Sequence, residues 1–286
     1  MHIQRGKLLS ELSTFGIGGP ARYYIEAKEP NTAREAMQWA LSQQIPVFIL
    51  GKGSNSLFDD RGYDGLILHN KIDFCEIAQD SVYAGAGYSF SLLGVQTARK
   101  GFSGLEFASG IPGTVGGAVF MNAGANGQEV KDALLEALYL GLDGEERLFL
   151  RSDLEFSYRF SSFQKLRGCI LAARFELKEN KEARQSQLKI VEYRLKTQPY
   201  KEKSAGCIFR NPSPSLSAGA LIERCGLKGS VLGGARVSEM HANFIVNEAK
   251  ASCTDVLALI QKIQETVAEK SGVRLEPEVR KVPFDE

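Results

Sequence analysis

Histidine, cysteine pairs, long apolar runs and net charge are all scarce in this 286-residue sequence, and each scarcity removes a class of function. The three histidines (His2, His69 and His241) are far apart, so no His-based metal site is expected. The five cysteines (Cys75, Cys169, Cys207, Cys225 and Cys253) are odd in number and form no C-x-x-C pair. That argues against a disulfide framework and a structural zinc site, and for free thiols in a cytoplasmic protein. No apolar stretch approaches the length of a membrane span, and "MHIQRGKLLSELS" lacks a signal peptide's apolar core. A formal net charge of +1 gives no reason to expect nucleic acid or an anionic membrane as partner. What remains is 43% hydrophobic and 24% charged, a globular composition long enough for two or three modest domains.

The pattern mixes helices and strands. Pro30-Asn31-Thr32 opens a helix in which Thr32 and Glu35 have capping-box spacing. Ala33, Ala36, Met37, Ala40 and Leu41 fall on one face of it. Strands are expected over 45–50, 65–68 and 81–84, and a helix over 89–100 ended by Gly101. "LYLGLDGEERLFL" carries the Asp-Gly signature of a hairpin. Further helices are expected over 181–197, 218–225 and 254–270, with a strand-rich stretch over 230–247. In the last helix Val256, Leu259, Ile260, Ile263 and Val267 make one apolar stripe. Pro199, Pro212 and Pro214, among Lys, Gly and Ser, mark a domain boundary in 198–217.

Two glycine-rich stretches carry the chemistry. "VFILGKGSNSLFDD" ends a strand in Gly51-Lys52-Gly53-Ser54-Asn55-Ser56, yet fits neither the P-loop spacing nor the dinucleotide fingerprint. Alone it reads as an ordinary strand-ending turn. "GLEFASGIPGTVGGAVFMNAGANG" concentrates glycine at 104, 110, 113, 116, 117, 124 and 127. Each single glycine suits a tight turn; together they suit bare backbone whose amides face a polyanion. The two stretches could then clasp one diphosphate from two sides.

"STFGIGGPA", "GKGSNSLF", "GLEFASGIPGTVGGAVFMNAGA", "FSYRFS", "SAGCIFRNP", "GLKGSVLGGARVSEMHANFIVN" and "LEPEVR" follow one another in this order. In this the chain resembles the UDP-N-acetylenolpyruvoylglucosamine reductases (UDP-N-acetylmuramate dehydrogenases), in the shorter subtype without an inserted tyrosine segment. The resemblance implies an α+β fold: a two-part FAD-binding module of vanillyl-alcohol-oxidase type plus a smaller α+β substrate-binding domain. The expected division is 1–68, rejoined by 273–286, then 69–200, then the substrate domain 201–272. FAD would be held noncovalently by Gly51, Gly53, Ser54, Asn55 and Ser56, and by Gly110, Ile111, Pro112, Gly113, Thr114, Gly117 and Gly124. NADPH would be the co-substrate and UDP-N-acetylglucosamine enolpyruvate the substrate. The residues and charge add no metal, nucleic acid or membrane partner, and a monomer is expected, with the oligomeric state left open by the sequence.

Three residues carry the implied catalysis. Arg159 in "FSYRFS" can bind a carboxylate through two parallel bonds, although a lone Arg in a strand-rich region is usually a surface residue. Glu278 in "LEPEVR" would be a protonated donor to an enolate, which requires burial to raise its pKa; otherwise it is a solvated glutamate. Cys207 stands in "SAGCIFRNP" where family members commonly carry Ser, and would give the proton to C2; outside the motif an isolated Cys is usually a small buried hydrophobe. Lys203 and Arg210, near it in sequence, could stabilise its thiolate if near in space. Tyr158 and Asn211 are expected at the substrate, with the alternative that Tyr158 packs and Asn211 makes a turn. His241 and Asn243 read as structural. Two other functions stay open: an FAD oxidoreductase for another substrate, and a catalytically silent flavin- or UDP-sugar-binding regulator.

Overall fold

The computed structural model describes residues 2–285, and the chain divides into two compact units. The first takes the segment up to Gln4, Tyr24–Lys52 and Gly65–Arg194; the second takes Arg5–Tyr23, Gly53–Asp64 and the chain from Leu195 onward.

In the first unit, strand Val47–Leu50 runs parallel to the 66–69 stretch of strand Tyr63–Asn70. Helix Pro30–Ser42 leads into it, and buries Ala33, Ala36, Met37 and Ala40. Leu41 does not join them and is 56% exposed, since the buried stripe is narrower than the sequence pattern suggested. The capping box also differs. Glu29 is the N-cap without a side-chain bond and Pro30 occupies the first turn, where its missing N–H is harmless. A five-stranded antiparallel sheet forms the rest, in the order Glu146–Leu150, Leu134–Gly141, Gly168–Glu176, Ser81–Gly85, Cys75–Ile77. The Asp-Gly turn joins the first two as expected, with Gly144 at φ +85°. Helix Phe90–Arg99, capped by the Ser89 hydroxyl, packs Phe90 against Phe107 and Phe175 in this unit's core.

In the second unit, four antiparallel strands lie in the order Ser204–Cys207, Phe244–Asn247, Ala235–Val237, Val231–Leu232. Helices Ala218–Arg224 and Cys253–Ser271 contribute to the core shared with this sheet. The longer helix buries the whole expected stripe from Val256 to Val267, each such side chain stabilising by roughly 1.5–3 kcal/mol. Ser252 and Asp255 form its capping box, the Asp60 carboxylate accepts from the Cys253 amide at 2.7 Å, and Gly272 at φ +70° ends it. Arg280–Val282 pairs in parallel with Ser56–Phe58. Among the described residues no helix is long and apolar enough to cross a membrane.

Candidate active site

The two glycine-rich stretches meet within the first unit at one point. A Cβ on Gly51 would come within 2.5 Å of the Thr114 hydroxyl, so only glycine lets the loop after Leu50 lie against the 110–117 segment. Thr114 caps helix Val115–Met121 by accepting from the Gly117 amide at 3.4 Å. Having accepted, the hydroxyl keeps its own proton to donate, and Gly51 and Gly117 beside it carry no side chain. A bare cradle with a hydroxyl donor fits a phosphate oxygen of FAD.

The expectation that the amides of this segment all face an anion needs correction. Gly110 N–H donates to Ser91 Oγ at 2.7 Å and Ile111 N–H to Ala108 O at 3.0 Å. Pro112 has no N–H, and the Val115 and Gly116 amides donate to Tyr88 O and Ala86 O. At Gly116 glycine is needed for packing, because a Cβ would sit 2.8 Å from that of Ala86. Gly113 accepts from Phe90 N–H through its carbonyl.

His69, at the end of its strand, is 6% exposed, and its Nδ1 lies 2.8 Å from the Tyr24 hydroxyl. The ring also bonds the Gly51 backbone. Desolvation is the main cause that pushes this imidazole down to about 4, with the Lys71 charge adding to it. A neutral His69 therefore anchors the start of the glycine loop, a role the sequence did not suggest.

Arg159 sits at the tip of a hairpin between Phe156–Ser157 and Phe160–Ser161. Its backbone is left-handed, φ +58°, a conformation that disfavours side chains by roughly 1–2 kcal/mol. Its guanidinium lies over the Tyr158 ring at 4.7 Å and donates to Gly124 O at 3.3 Å. A Cβ on Gly124 would strike Gln128 O at 2.6 Å, so this glycine serves its own hairpin and, through its carbonyl, Arg159.

The second unit brings Cys207 and Glu278 onto adjacent backbone. Pro277 and Phe209 form an antiparallel bridge, and the Glu278 amide donates to Ile208 O at 2.7 Å, one residue from Cys207. Both residues are half-buried. Asn243, 3% exposed, accepts from the Phe209 amide at 3.0 Å and donates to its carbonyl at 2.9 Å, so its structural reading has a definite object. His241 Nδ1 in turn accepts from the Asn243 amide at 3.2 Å. Gly53, at φ +63°, closes against Leu12 and Ser13. Ser54 follows in the turn and Ser56 is buried at the start of its strand. Asn55 donates to the Glu278 carbonyl at 3.2 Å and its own carbonyl accepts from Arg280 N–H at 3.0 Å. Asn211 Oδ1 accepts from Ala218 N–H at 3.0 Å, supporting a helix start. The Lys203 side chain lies over the Gly16 backbone. Among the described residues no cluster of three or more His, Cys, Asp or Glu side chains could hold a metal ion.

The comparisons agree with this division of labour. Residues 21–147 match the family described as "FAD binding domain", and residues 198–282 match "UDP-N-acetylenolpyruvoylglucosamine reductase, C-terminal domain". The UDP-N-acetylenolpyruvoylglucosamine reductase of Protochlamydia amoebophila is 56% identical over 99% of this chain and 94% of its own length. The chain belongs to the UDP-N-acetylenolpyruvoylglucosamine reductase family. The reductase of Chlamydia trachomatis serovar A is 47% identical, with 99% of this chain and 97% of that one covered. The crystal structure of the reductase from Thermus caldophilus superposes with a TM-score of 0.85 at 36% identity, covering 99% of this chain and 100% of that one. As in that family, the fold is an FAD-binding module followed by the reductase's C-terminal domain.

Proposed function

We propose that Arg159, Cys207 and Glu278 carry the reaction of the family to which this chain belongs. The chain is an FAD oxidoreductase that reduces the enolpyruvyl group of UDP-N-acetylglucosamine enolpyruvate to the lactyl ether of UDP-N-acetylmuramate, in peptidoglycan precursor synthesis. When bound, FAD would supply two-electron redox chemistry between NADPH and the enolpyruvyl double bond. The FAD-binding set would remain Gly51, Gly53, Ser54, Asn55, Ser56, Gly110, Ile111, Pro112, Gly113, Thr114, Gly117 and Gly124, with the Thr114 hydroxyl beside Gly51 and Gly117 offered to a phosphate oxygen. Asn55 and Gly124 also bond Glu278 and Arg159 through the Glu278 and Gly124 carbonyls.

The chain's own residues handle charge and proton. Reduction at the vinyl carbon drives negative charge onto the substrate carboxylate, and a guanidinium aimed there in advance stabilises that charge without reorganisation. Arg159 supplies it, and Tyr158 holds the guanidinium by its ring face. Glu278, in protonated form, donates a second hydrogen bond to the enolate. The Cys207 thiol gives its proton to C2, because an ordinary thiol, with a pKa near ~8.5, is mostly protonated at neutral pH. Asn211 contacts the sugar nucleotide. The observation that supports this reading is the bridge between Phe209 and Pro277, which brings Cys207 and Glu278 onto neighbouring backbone.

The three-part division 1–68 with 273–286, 69–200 and 201–272 is kept as part of this reading, supported by the pairing of Arg280–Val282 with Ser56–Phe58. The enzyme is taken to be a monomer and to be cytoplasmic, the latter supported by its free cysteines. The test is anaerobic: the protein loaded with FAD is mixed with NADPH and then with the enolpyruvyl sugar while flavin absorbance is followed. Bleaching, then recovery only on adding the sugar, is expected. Recovery with full turnover in Cys207→Ala would remove the thiol from the mechanism.

A further inference from the structure

Arg159 occupies a backbone conformation that few side-chain-bearing residues adopt, and such conformations persist only where the surroundings over-determine them. The surroundings here include two amide side chains. Asn122 is fully buried and ends helix Val115–Met121 at φ +44°. Its Nδ2 donates to Ser157 O at 2.9 Å, on the strand leading to Arg159, and to Glu129 Oε2 at 3.0 Å. Its Oδ1 accepts from Lys131 N–H at 3.0 Å. Gln164 Nε2 donates to the carbonyl of Arg159 itself at 3.1 Å and to Phe120 O at 2.9 Å. Ser161 Oγ reaches the same Phe120 carbonyl at 2.7 Å. Both strands of the hairpin and the residue at its tip are thereby tied to one turn of the glycine-rich helix.

We infer that Asn122 and Gln164 are positioning residues for Arg159, fixing the hairpin so that the guanidinium stands ready for the substrate carboxylate. Asn122 combines two requirements. It enters the left-handed region more readily than most residues, and its short amide offers two donors and an acceptor to three residues on two segments, Ser157 and the Glu129–Lys131 turn. Glycine would meet the first requirement only. The inference rests on the catalytic reading of Arg159 and deepens it: the arginine acts from a geometry its own backbone disfavours.

The test uses the FAD-loaded enzyme, with Asn122→Gly keeping the backbone preference and Gln164→Met keeping approximate size. FAD content, the rate of flavin bleaching by NADPH and the rate of recovery with UDP-N-acetylglucosamine enolpyruvate are each measured. A small misplacement of a positioned group costs up to about 100-fold. The expected result is therefore recovery slowed roughly 10- to 100-fold, with FAD content and bleaching unchanged. In an Arg159→Lys background, Asn122→Gly should slow recovery by less than about threefold more, because coupled residues do not add. Loss of FAD, equal slowing of both half-reactions, or a full multiplicative loss in the Arg159→Lys background would overturn the inference. If Asn122→Gly does not fold, Gln164→Met alone and over Arg159→Lys decides the matter by the same criteria. Wild-type recovery in both single variants beside a slow Arg159→Lys overturns the inference alone; wild-type recovery in Arg159→Lys overturns the catalytic reading beneath it.

Discussion

At the Arg159 hairpin the main chain is left-handed and side chains from Asn122, Ser161 and Gln164 restrain it. At Cys207 and Glu278 main-chain pairing holds the backbone: Ile208 O receives the Glu278 amide, Ile208 N–H donates to Asn243 O, and Cys207 pairs with Phe244. Asn243 adds its amide group, bonded to both polar groups of the Phe209 backbone. A position fixed by backbone pairing tolerates a change of side chain, whereas one fixed by side-chain braces depends on every brace. This difference gives a physical reason why a Cys-to-Ser exchange at 207 should be tolerated, while no such latitude is expected at 159.

The largest effect that would break this comparison is at the thiol. Cys207→Ala should slow recovery of the reduced flavin by roughly 10²–10⁴-fold, as loss of a general acid does, and Cys207→Ser should restore most of it. Unchanged thermal midpoints in both variants would accompany this, since the backbone sets the position. Next is Arg159→Lys, expected to slow recovery by about 10²–10³-fold while bleaching by NADPH proceeds normally. A lysine that substitutes freely would show that a point charge suffices and that the strained hairpin serves something else.

A smaller effect sharpens the second region. Asn243→Ala leaves a buried amide and carbonyl of Phe209 without their partners, which costs about 1–3 kcal/mol in urea unfolding. A further prediction concerns the glycine loop of the first unit. His69 titrates at about 4 in the folded chain against 6.5 ordinarily, with Tyr24, Glu26 and Lys71 around it. A base with a depressed folded pKa contributes full stability above 6.5 and loses it as pH falls toward 4, because the unfolded chain takes up the proton first. The slope is at most roughly 1.4 kcal/mol per pH unit. His69→Gln should flatten this part of the urea-midpoint profile; an unchanged slope would show that the carboxylates dominate the acid response.

The parts of this molecule legible in the sequence are those built from local contacts. The stripe from Val256 to Val267, the Asp-Gly hairpin and the glycine ending helix Phe90–Arg99 all follow from residues within a few positions of one another. The capping box at Thr32 failed because Pro30 starts the helix two residues earlier. The braces were not legible for the opposite reason. Asn122 reaches Ser157 across 35 residues, and Asn55 reaches Glu278 across 223, so no local spacing announces either bond. Asn55 read as an FAD-binding residue because it lies in a glycine loop, and its bond to the Glu278 carbonyl adds a contact that this local reading did not contain. One signal was available for Asn122: an Asn just past a short apolar helix is a common left-handed terminator.

The most direct test of the account is the pH dependence of flavin recovery with the enolpyruvyl sugar in the wild type and in Cys207→Ser, measured anaerobically after reduction by NADPH. A thiol donor loses its proton near ~8.5, whereas a serine hydroxyl does not titrate in the accessible range. The wild-type rate should decline as the thiol ionises, and the Cys207→Ser rate should hold level across the same interval. Superimposable profiles would contradict this and assign the proton at C2 to another group.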